Sequence, residues 1–166
     1  QWLAAKGVTA IGTAGGTAKG DLAAAHGYAH VIDYDTQDFA AEVARLTGGR
    51  GVEVVYDGVG AATWRGSMTA LARRGSYVCF GQSSGPITGF TFADLAAKSA
   101  KATRPVLFHF IADPAELRAR AADLFAAFAR GDIRSQPRQS FPLAEAARTH
   151  AALKARQTTG ATVLIP

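Results

Sequence analysis

The chain has 166 residues, of which 48% are hydrophobic and 19% are charged, a composition typical of one globular domain with a substantial core. No apolar run approaches the roughly 20 residues that span a bilayer, and no secretory leader pattern opens the chain, so we expect no membrane partner. The net charge of +5 is spread thinly, with only Arg73 and Arg74 adjacent, which argues against a nucleic-acid partner. The single cysteine, Cys79, cannot form an internal disulfide, which fits a cytoplasmic location.

The first seven residues read as the end of a helix that stops at Gly7. A parallel α/β domain has a strand and a G-x-G-x-x-G turn ahead of such a helix. In this sequence, no strand and no such turn precede that helix. We therefore expect the chain to begin partway through a βαβ unit, with the phosphate-binding turn upstream of it.

Strands and helices then alternate along the chain. The predicted strands are residues 8–13, a segment centred on 31–32, and residues 51–57, 76–80, 104–111, 139–143 and 162–165. The predicted helices are residues 17–26, 38–47 with Thr36 as the cap, 61–71, 92–98, 114–130 and 143–156. This alternation predicts a Rossmann-like α/β fold, a doubly wound parallel sheet that lacks its first strand.

Three glycine-rich turns follow predicted strands. They cover Gly12 to Gly16, Asp57 to Gly60 and Gly81 to Gly85. The carboxyl ends of parallel strands lie along one edge of a sheet, so the three turns are expected to converge on one crevice. One such turn is weak evidence, but three together favour a nucleotide-binding site.

The first turn carries a lysine and no acid. An NAD site places Asp or Glu at this point to accept from the ribose 2′-hydroxyl, whereas residues from Gly12 to Lys19 include no carboxylate. Open backbone N–H groups at a helix start and an ammonium would instead favour a 2′-phosphate, which indicates NADP. The alternative is a solvent-exposed turn with a surface lysine, and this stretch by itself favours that alternative.

Other chemistry-bearing residues give weaker signals. The four histidines show no metal-ligand spacing, and no G-x-S-x-G nucleophile turn occurs. Cys79 lies inside an apolar strand, as a buried inert thiol would. Arg104 and Arg156 could each bind a phosphate or lie in solvent. A methyltransferase using S-adenosylmethionine also has a parallel sheet, but it needs an acid after the second strand, and that position lacks one.

Five runs together closely resemble one family, the NADPH:quinone oxidoreductases. They are D-Y-D-T-Q-D-F, V-E-V-V-Y-D-G-V-G, R-R-G-S-Y-V-C-F-G-Q-S-S-G-P, T-R-P-V-L-F-H-F, and the C-terminal A-A-R-T-H-A-A-L-K-A-R-Q-T-T-G-A-T-V-L-I-P. That family is the zeta-crystallin-like, zinc-free branch of the medium-chain dehydrogenase/reductase superfamily. The resemblance covers nearly the whole chain. It implies that residues 1–166 form one NADP-binding Rossmann domain with the enzyme's C-terminal tail, and that the N-terminal GroES-like domain is absent.

The resemblance also implies a set of cofactor-binding residues. Gly15, Gly16, Thr17, Ala18 and Lys19 would hold the adenosine 2′-phosphate, with Tyr34 beside it and Arg156 paired to a phosphate. The remaining implied positions are Gly58 for close approach of the cofactor, Phe80, Gly81, Gln82 and Ser83 on the nicotinamide side, and Arg104, Pro105 and Val106 along the border. Gln82 stands where the family often has Asn. No catalytic residue and no metal ligand is assigned.

The activity implied by the resemblance is hydride transfer from NADPH to a quinone or a related enone. A homodimer through a Rossmann sheet edge is implied, with Val106 to Ile111 as the candidate edge strand. Alone, this piece is expected to bind cofactor poorly and to be inactive. The alternative function is a non-catalytic Rossmann module used for dimerisation or RNA binding.

Overall fold

The structure, a computed structural model, describes residues 1–166. The helices are α1 (Trp2–Ala5), α2 (Thr17–Ala24), α3 (Phe39–Leu46), α4 (Trp64–Ala70), α5 (Phe92–Ala96), α6 (Leu107–Phe110), α7 (Pro114–Arg130) and α8 (Ala146–Lys154). The strands are β1 (Ile11–Ala14), β2 (His30–Asp33), β3 (Val52–Asp57), β4 (Leu71–Cys79), β5 (Lys101–Thr103), β6 (Gln139–Pro142) and β7 (Thr162–Ile165). No helix has both the length and the apolar character that crossing a membrane would require.

All strand pairs are parallel, and the first five strands follow the doubly wound order. One sheet pairs β1 with β2, a second has the order β3-β4-β5, and β6 pairs with β7 apart from both. In a dinucleotide-binding sheet the first strand lies between the second and the fourth. Here β2 and β1 correspond to the third and second strands, β3 to β5 correspond to the fourth to sixth, and no strand of this chain lies between them. The predicted fold class is confirmed.

Helix α3 connects the β1–β2 sheet to the β3–β4–β5 sheet. Its Val43 forms a buried cluster with Ile32 of β2 and Ala70 of α4, and Ile11 and Val52 pack against this cluster from the two sheets. The helix is capped by Asp38, whose carboxylate accepts from two first-turn N–H groups. The predicted cap, Thr36, is wrong, because its hydroxyl instead donates to the carbonyl of Asp33.

The second cluster joins α4 to β4. It contains Trp64, Met68, Leu71, Tyr77 and Cys79. The thiol is buried and free, as the apolar strand around it predicts. Strand β4 begins at Leu71 rather than Ser76 because Leu71 already pairs with Val52, before a register irregularity in β3.

The edge of the β3–β4–β5 sheet differs from the prediction. The strand predicted at residues 104–111 is wrong: β5 ends at Thr103, which pairs with Val78, and residues 107–110 form the short helix α6. Pro105 has no N–H to continue a ladder, and Leu107 to Phe110 lack the apolar–polar alternation of a half-buried strand. The edge strand proposed for dimerisation, Val106 to Ile111, is therefore not a strand.

The observed bounds of the C-terminal elements agree more closely with those predicted from the sequence. Helix α7 spans the predicted residues, with Asp113 accepting from the N–H of Ala115 and Gly131 ending the helix in the left-handed conformation. β7 also spans its predicted residues. The helix predicted over residues 143–156 is divided into a 3₁₀ turn at Leu143–Glu145 and α8.

Candidate cofactor site

The predicted site residues follow the carboxyl ends of β1 to β5, apart from Arg156, which follows α8. Within each sheet these ends share one edge because the strands are parallel. The structure brings most of the residues together in two groups. One surrounds the turn after β1, and the other surrounds the turns after β3 and β4.

In the first group, the turn after β1 exposes the start of α2. Gly16 precedes the helix with φ 77° and ψ 155°, a backbone conformation open almost only to glycine. No side chain caps the helix. The N–H groups of Thr17, Ala18 and Lys19 belong to its first turn, so they have no intrahelical acceptor and remain available as donors.

Lys19 and Arg156 meet although 137 positions separate them in the sequence. The Lys19 ammonium donates to the Arg156 carbonyl oxygen at 3.0 Å. Arg156 follows α8 with a φ of 58°, where glycine is the usual residue because a Cβ costs about 1–2 kcal/mol. The chain thus keeps a strained arginine beside the first turn of α2, an arrangement found more often at functional sites than elsewhere.

Gly15 lies under two side chains from the loop after β2. A Cβ added at Gly15 would lie 2.8 Å from the hydroxyl oxygen of Tyr34 and 2.9 Å from Oδ2 of Asp35. Any larger residue at this position would displace one of them. The glycine therefore allows Tyr34, a predicted site residue, to approach the turn closely, and it brings Asp35 to the same place.

One N–H group of this turn is already bound. The N–H of Gly16 is not open, since it donates to Oδ1 of Asp33 at 3.1 Å. The same oxygen accepts from the N–H of Asp35 at 3.1 Å. No acid lies between Gly12 and Lys19, but the neighbouring strand β2 supplies Asp33 and the loop after it supplies Asp35. The pairing of β1 with β2 indicates this placement, because it aligns Ala14 with Asp33 and so brings the acid to the turn after β1.

The second group is organised by Asp57, which is not among the predicted site residues. Its side chain is buried and accepts from the N–H groups of Val59 and Gly60 and from the hydroxyl groups of Ser67 and Tyr77, at 2.8 to 3.1 Å. The Thr63 hydroxyl also lies 2.8 Å from Oδ2. The sequence does carry a signal for this network. A buried acid is followed by a glycine turn, and then by Thr63 and Ser67 one helical turn apart.

This network changes the pKa values of both acidic partners. Burial would raise the pKa of Asp57, but the N–H groups of Gly60 and Val59, with the Thr63 and Tyr77 hydroxyls, hold it below its ordinary value. Burial and the adjacent Asp57 carboxylate raise the pKa of Tyr77. Asp57 therefore remains charged and holds the turn after β3 in one conformation.

The turns after β3 and β4 are joined directly. The N–H of Ser83 donates to the Gly58 carbonyl at 3.2 Å, and the Ser84 hydroxyl donates to the Val59 carbonyl at 2.7 Å. The Phe80 ring is 57% exposed and lies 3.0 Å from a Cβ built at Gly58. Predicted residues Gly58, Phe80, Gly81, Gln82 and Ser83 therefore form one continuous surface.

The three residues after β5 join neither group. Arg104 donates only to the carbonyl of the adjacent Pro105, at 3.0 Å. Val106 is exposed and precedes α6. No hydrogen bond connects this loop, the turn after β1 and the turn after β3 to one another.

An open cavity of about 350 Å³ adjoins the turn after β1. It is lined by Ala14, Gly16, Thr17, Gly20, Asp21, Ala24, Val31, Asp33 and Gln37. No cluster of three or more His, Cys, Asp or Glu side chains is placed to hold a metal ion.

A family model described as "Zinc-binding dehydrogenase" matches residues 26–164, most of the chain. The chain belongs to this family. The predicted resemblance is also confirmed: the quinone oxidoreductase of Pseudomonas aeruginosa is 47% identical over 100% of this chain and 51% of its own length. The 2-haloacrylate reductase of a Burkholderia species is 39% identical over 99% of this chain and 50% of its own length.

The structure is also similar to a solved relative. The crystal structure of Escherichia coli quinone oxidoreductase complexed with NADPH superimposes with a TM-score of 0.93 and 40% identity, covering 99% of this chain and 52% of that one. The chain thus spans about half the length of these relatives. The family member described here corresponds to their cofactor-binding Rossmann part.

Proposed function

We propose that this family member is the cofactor-binding part of an NADPH-dependent oxidoreductase that reduces a quinone or a related enone. The observation that carries the proposal is the meeting of Lys19 and Arg156 at the uncapped start of α2. The Lys19 ammonium and the free N–H groups are suited to a phosphate, and the Arg156 side chain would add a second cation. The relatives named quinone oxidoreductase and the one solved with NADPH support the same assignment.

The residues of the first group fit the adenosine end of NADPH. Gly15, Gly16, Thr17, Ala18 and Lys19 would hold the 2′-phosphate with Arg156, and Tyr34 would lie against the ribose. Because Gly15 has no side chain, Tyr34 and Asp35 approach the turn closely, and the adenosine ribose would bind beside them at this corner.

The residues of the second group would hold the nicotinamide end. Gly58, Phe80, Gly81, Gln82 and Ser83 form the surface that Asp57 fixes, and Arg104, Pro105 and Val106 would border it. Bound NADPH supplies a hydride, and the protein's part is to align the cofactor and the acceptor. No acid–base residue of this chain is assigned to the reaction.

The proposed assembly is a homodimer of the zeta-crystallin-like kind. The free edge of β5 and the adjacent α6 would form its interface in place of the strand expected at Val106 to Ile111. Leu107 and Phe108 are 67% and 74% exposed, beside a strand whose three residues are all exposed. One buried free thiol, Cys79, fits a reducing compartment, so we propose that the protein is cytoplasmic.

Coenzyme titration tests the proposal. The complete natural protein that contains this chain should bind NADPH at least about tenfold more tightly than the variants Lys19→Ala and Arg156→Gly, because each removes one charged contact with the 2′-phosphate. NADH affinity should remain within about twofold of wild type. NADPH fluorescence gives both dissociation constants.

Arg156→Gly provides an internal control for folding. Glycine relieves the left-handed strain at residue 156, so this variant should unfold at the same temperature as wild type or a higher one. Loss of NADPH binding without loss of stability would identify the side chain as a ligand contact. Equal affinity of the wild-type protein for NADPH and NADH, unchanged by both variants, would rule out the 2′-phosphate site.

A further inference from the structure

Two carboxylates border the corner where the adenosine end of NADPH is proposed to bind. Asp33 is occupied, since one of its oxygens accepts from the N–H groups of Gly16 and Asp35. Asp35 is exposed, and its own carboxylate accepts no hydrogen bond from the protein. Its Oδ2 would lie 2.9 Å from a Cβ on Gly15, on the same side of the turn as the Tyr34 hydroxyl. Asp35 therefore presents an unneutralised charge beside Gly15.

The loop that carries Asp35 is fixed by several bonds. The N–H of Tyr34 donates to the Ala14 carbonyl at 3.2 Å, and the Gln37 side chain accepts from the N–H of Asp33 at 3.0 Å. The N–H of Asp35 donates to Asp33, and the N–H of Gln37 donates to the Asp33 carbonyl at 2.9 Å. The backbone of residue 35 is thus held against the glycine turn, and its side chain faces the turn without a cationic partner.

The charge of Asp35 opposes that of the two cations. A 2′-phosphate held by Lys19 and Arg156 beside Gly15 would lie within a few ångströms of this carboxylate, where like charges repel even near solvent. A ribose 2′-hydroxyl at the same place could instead donate to it, as it does to the acid of NAD-binding sites. The Asp35 carboxylate therefore disfavours NADPH and can form a hydrogen bond with NADH.

We propose that Asp35 is a specificity-determining residue that reduces the preference for NADPH and lets the site accept NADH as well. The inference rests on the proposed function, because it assumes that the adenosine ribose lies beside Gly15. It extends that function from a strictly NADPH-dependent enzyme to one with mixed coenzyme use.

The variant Asp35→Asn tests the inference, since it removes the charge and keeps the shape of an exposed side chain. The complete natural protein carrying Asp35→Asn should bind NADPH about three- to tenfold more tightly than wild type. NADH binding should stay unchanged or weaken by about threefold at most. The matched control is Asp123→Asn, which makes the same change in net charge on the exposed surface of α7 and should alter neither constant.

Adenosine 2′-monophosphate and adenosine 5′-monophosphate both represent the adenosine end of the coenzyme, and they separate the contribution of the 2′-phosphate from that of the 5′-phosphate. Asp35→Asn should strengthen binding of the 2′-phosphate probe alone, and the gain should shrink as salt rises because the interaction is between exposed charges. An unchanged ratio of NADPH to NADH affinity, with Lys19→Ala still weakening NADPH, would overturn this inference and leave the proposed function standing. A wild-type protein that binds neither coenzyme would overturn both.

Discussion

At the scale of single residues, the Asp57 carboxylate makes more hydrogen bonds than any other side chain. Asp57 is 4% exposed, and its carboxylate accepts from two backbone N–H groups and from hydroxyl groups on α4 and β4. No buried polar side-chain atom of the structure lacks a partner. An uncompensated loss at this position would therefore leave several buried donors unsatisfied, each worth about 1–3 kcal/mol.

The lowered pKa of Asp57 predicts how stability depends on pH. The folded state holds the proton less tightly than the unfolded state, whose reference value is 3.8. The stabilisation is therefore present above that value and is lost as the pH falls through the folded-state pKa. Wild type should lose unfolding free energy as the pH is lowered from about 5 to 3, and Asp57→Asn should lose less over the same range while being less stable at pH 7 by about 1–3 kcal/mol.

Urea unfolding at a series of pH values measures both quantities. Asp123→Asn, an exposed change on α7, should leave the wild-type profile intact. If Asp57→Asn retained the wild-type slope between pH 5 and pH 3, the acid sensitivity would have to come from other carboxylates.

At the scale of elements, the boundary between α4 and β4 depends on one lysine. The Lys98 ammonium donates to the carbonyls of Met68, Thr69 and Leu71, the last carbonyls of the helix and the first of the strand. A cation at a helix carboxyl end also interacts favourably with the helix dipole. Burial lowers the pKa of Lys98, so desolvation of the ammonium offsets part of what these hydrogen bonds contribute.

Removing the ammonium should loosen this junction. Lys98→Met keeps the aliphatic length and should lower the unfolding free energy by about 1–3 kcal/mol, because three carbonyls lose a charged donor. Lys154→Met, at the exposed end of α8, serves as the control and should change it by less than about 0.5 kcal/mol. Equal destabilisation by both variants would show that the carbonyl contacts are not the cause.

Some element boundaries can be predicted from the local sequence alone. Asp113, Pro114 and Gly131 mark the two ends of α7 by their own chemistry, and its predicted and observed residues coincide. The segment after β5 is different, because its apolar residues suit a strand as well as a helix. Pro105 ends the hydrogen-bond ladder there. The last pair joins Thr103 to Val78, so residues 107–110 are free to form α6.

At the scale of the whole molecule, the unpaired edge of β5 lies next to the exposed apolar side chains of α6. An exposed edge strand invites pairing with another chain. A second copy related by a two-fold axis would place the same edge on both sides, as closed dimers require.

This proposed dimer can be broken without disturbing the core. Phe108→Asp replaces a ring that is 74% exposed, so the fold should persist while the complete natural protein shifts from dimer to monomer in sedimentation analysis. Phe125→Asp on α7, where the ring is 68% exposed, is the matched control and should leave the dimer intact. A dimer that survives Phe108→Asp would place the interface elsewhere.

The sequence by itself determined the alternation of strands and helices, the glycine turns and the ends of α7 and β7, because these depend on residues close together in the chain. Only the tertiary structure decided which distant groups meet. It placed Lys19 against Arg156 and brought the carboxylates of Asp33 and Asp35 to the turn after β1. Those contacts depend on strand pairing and on the path of the C-terminal segment, which no local pattern encodes.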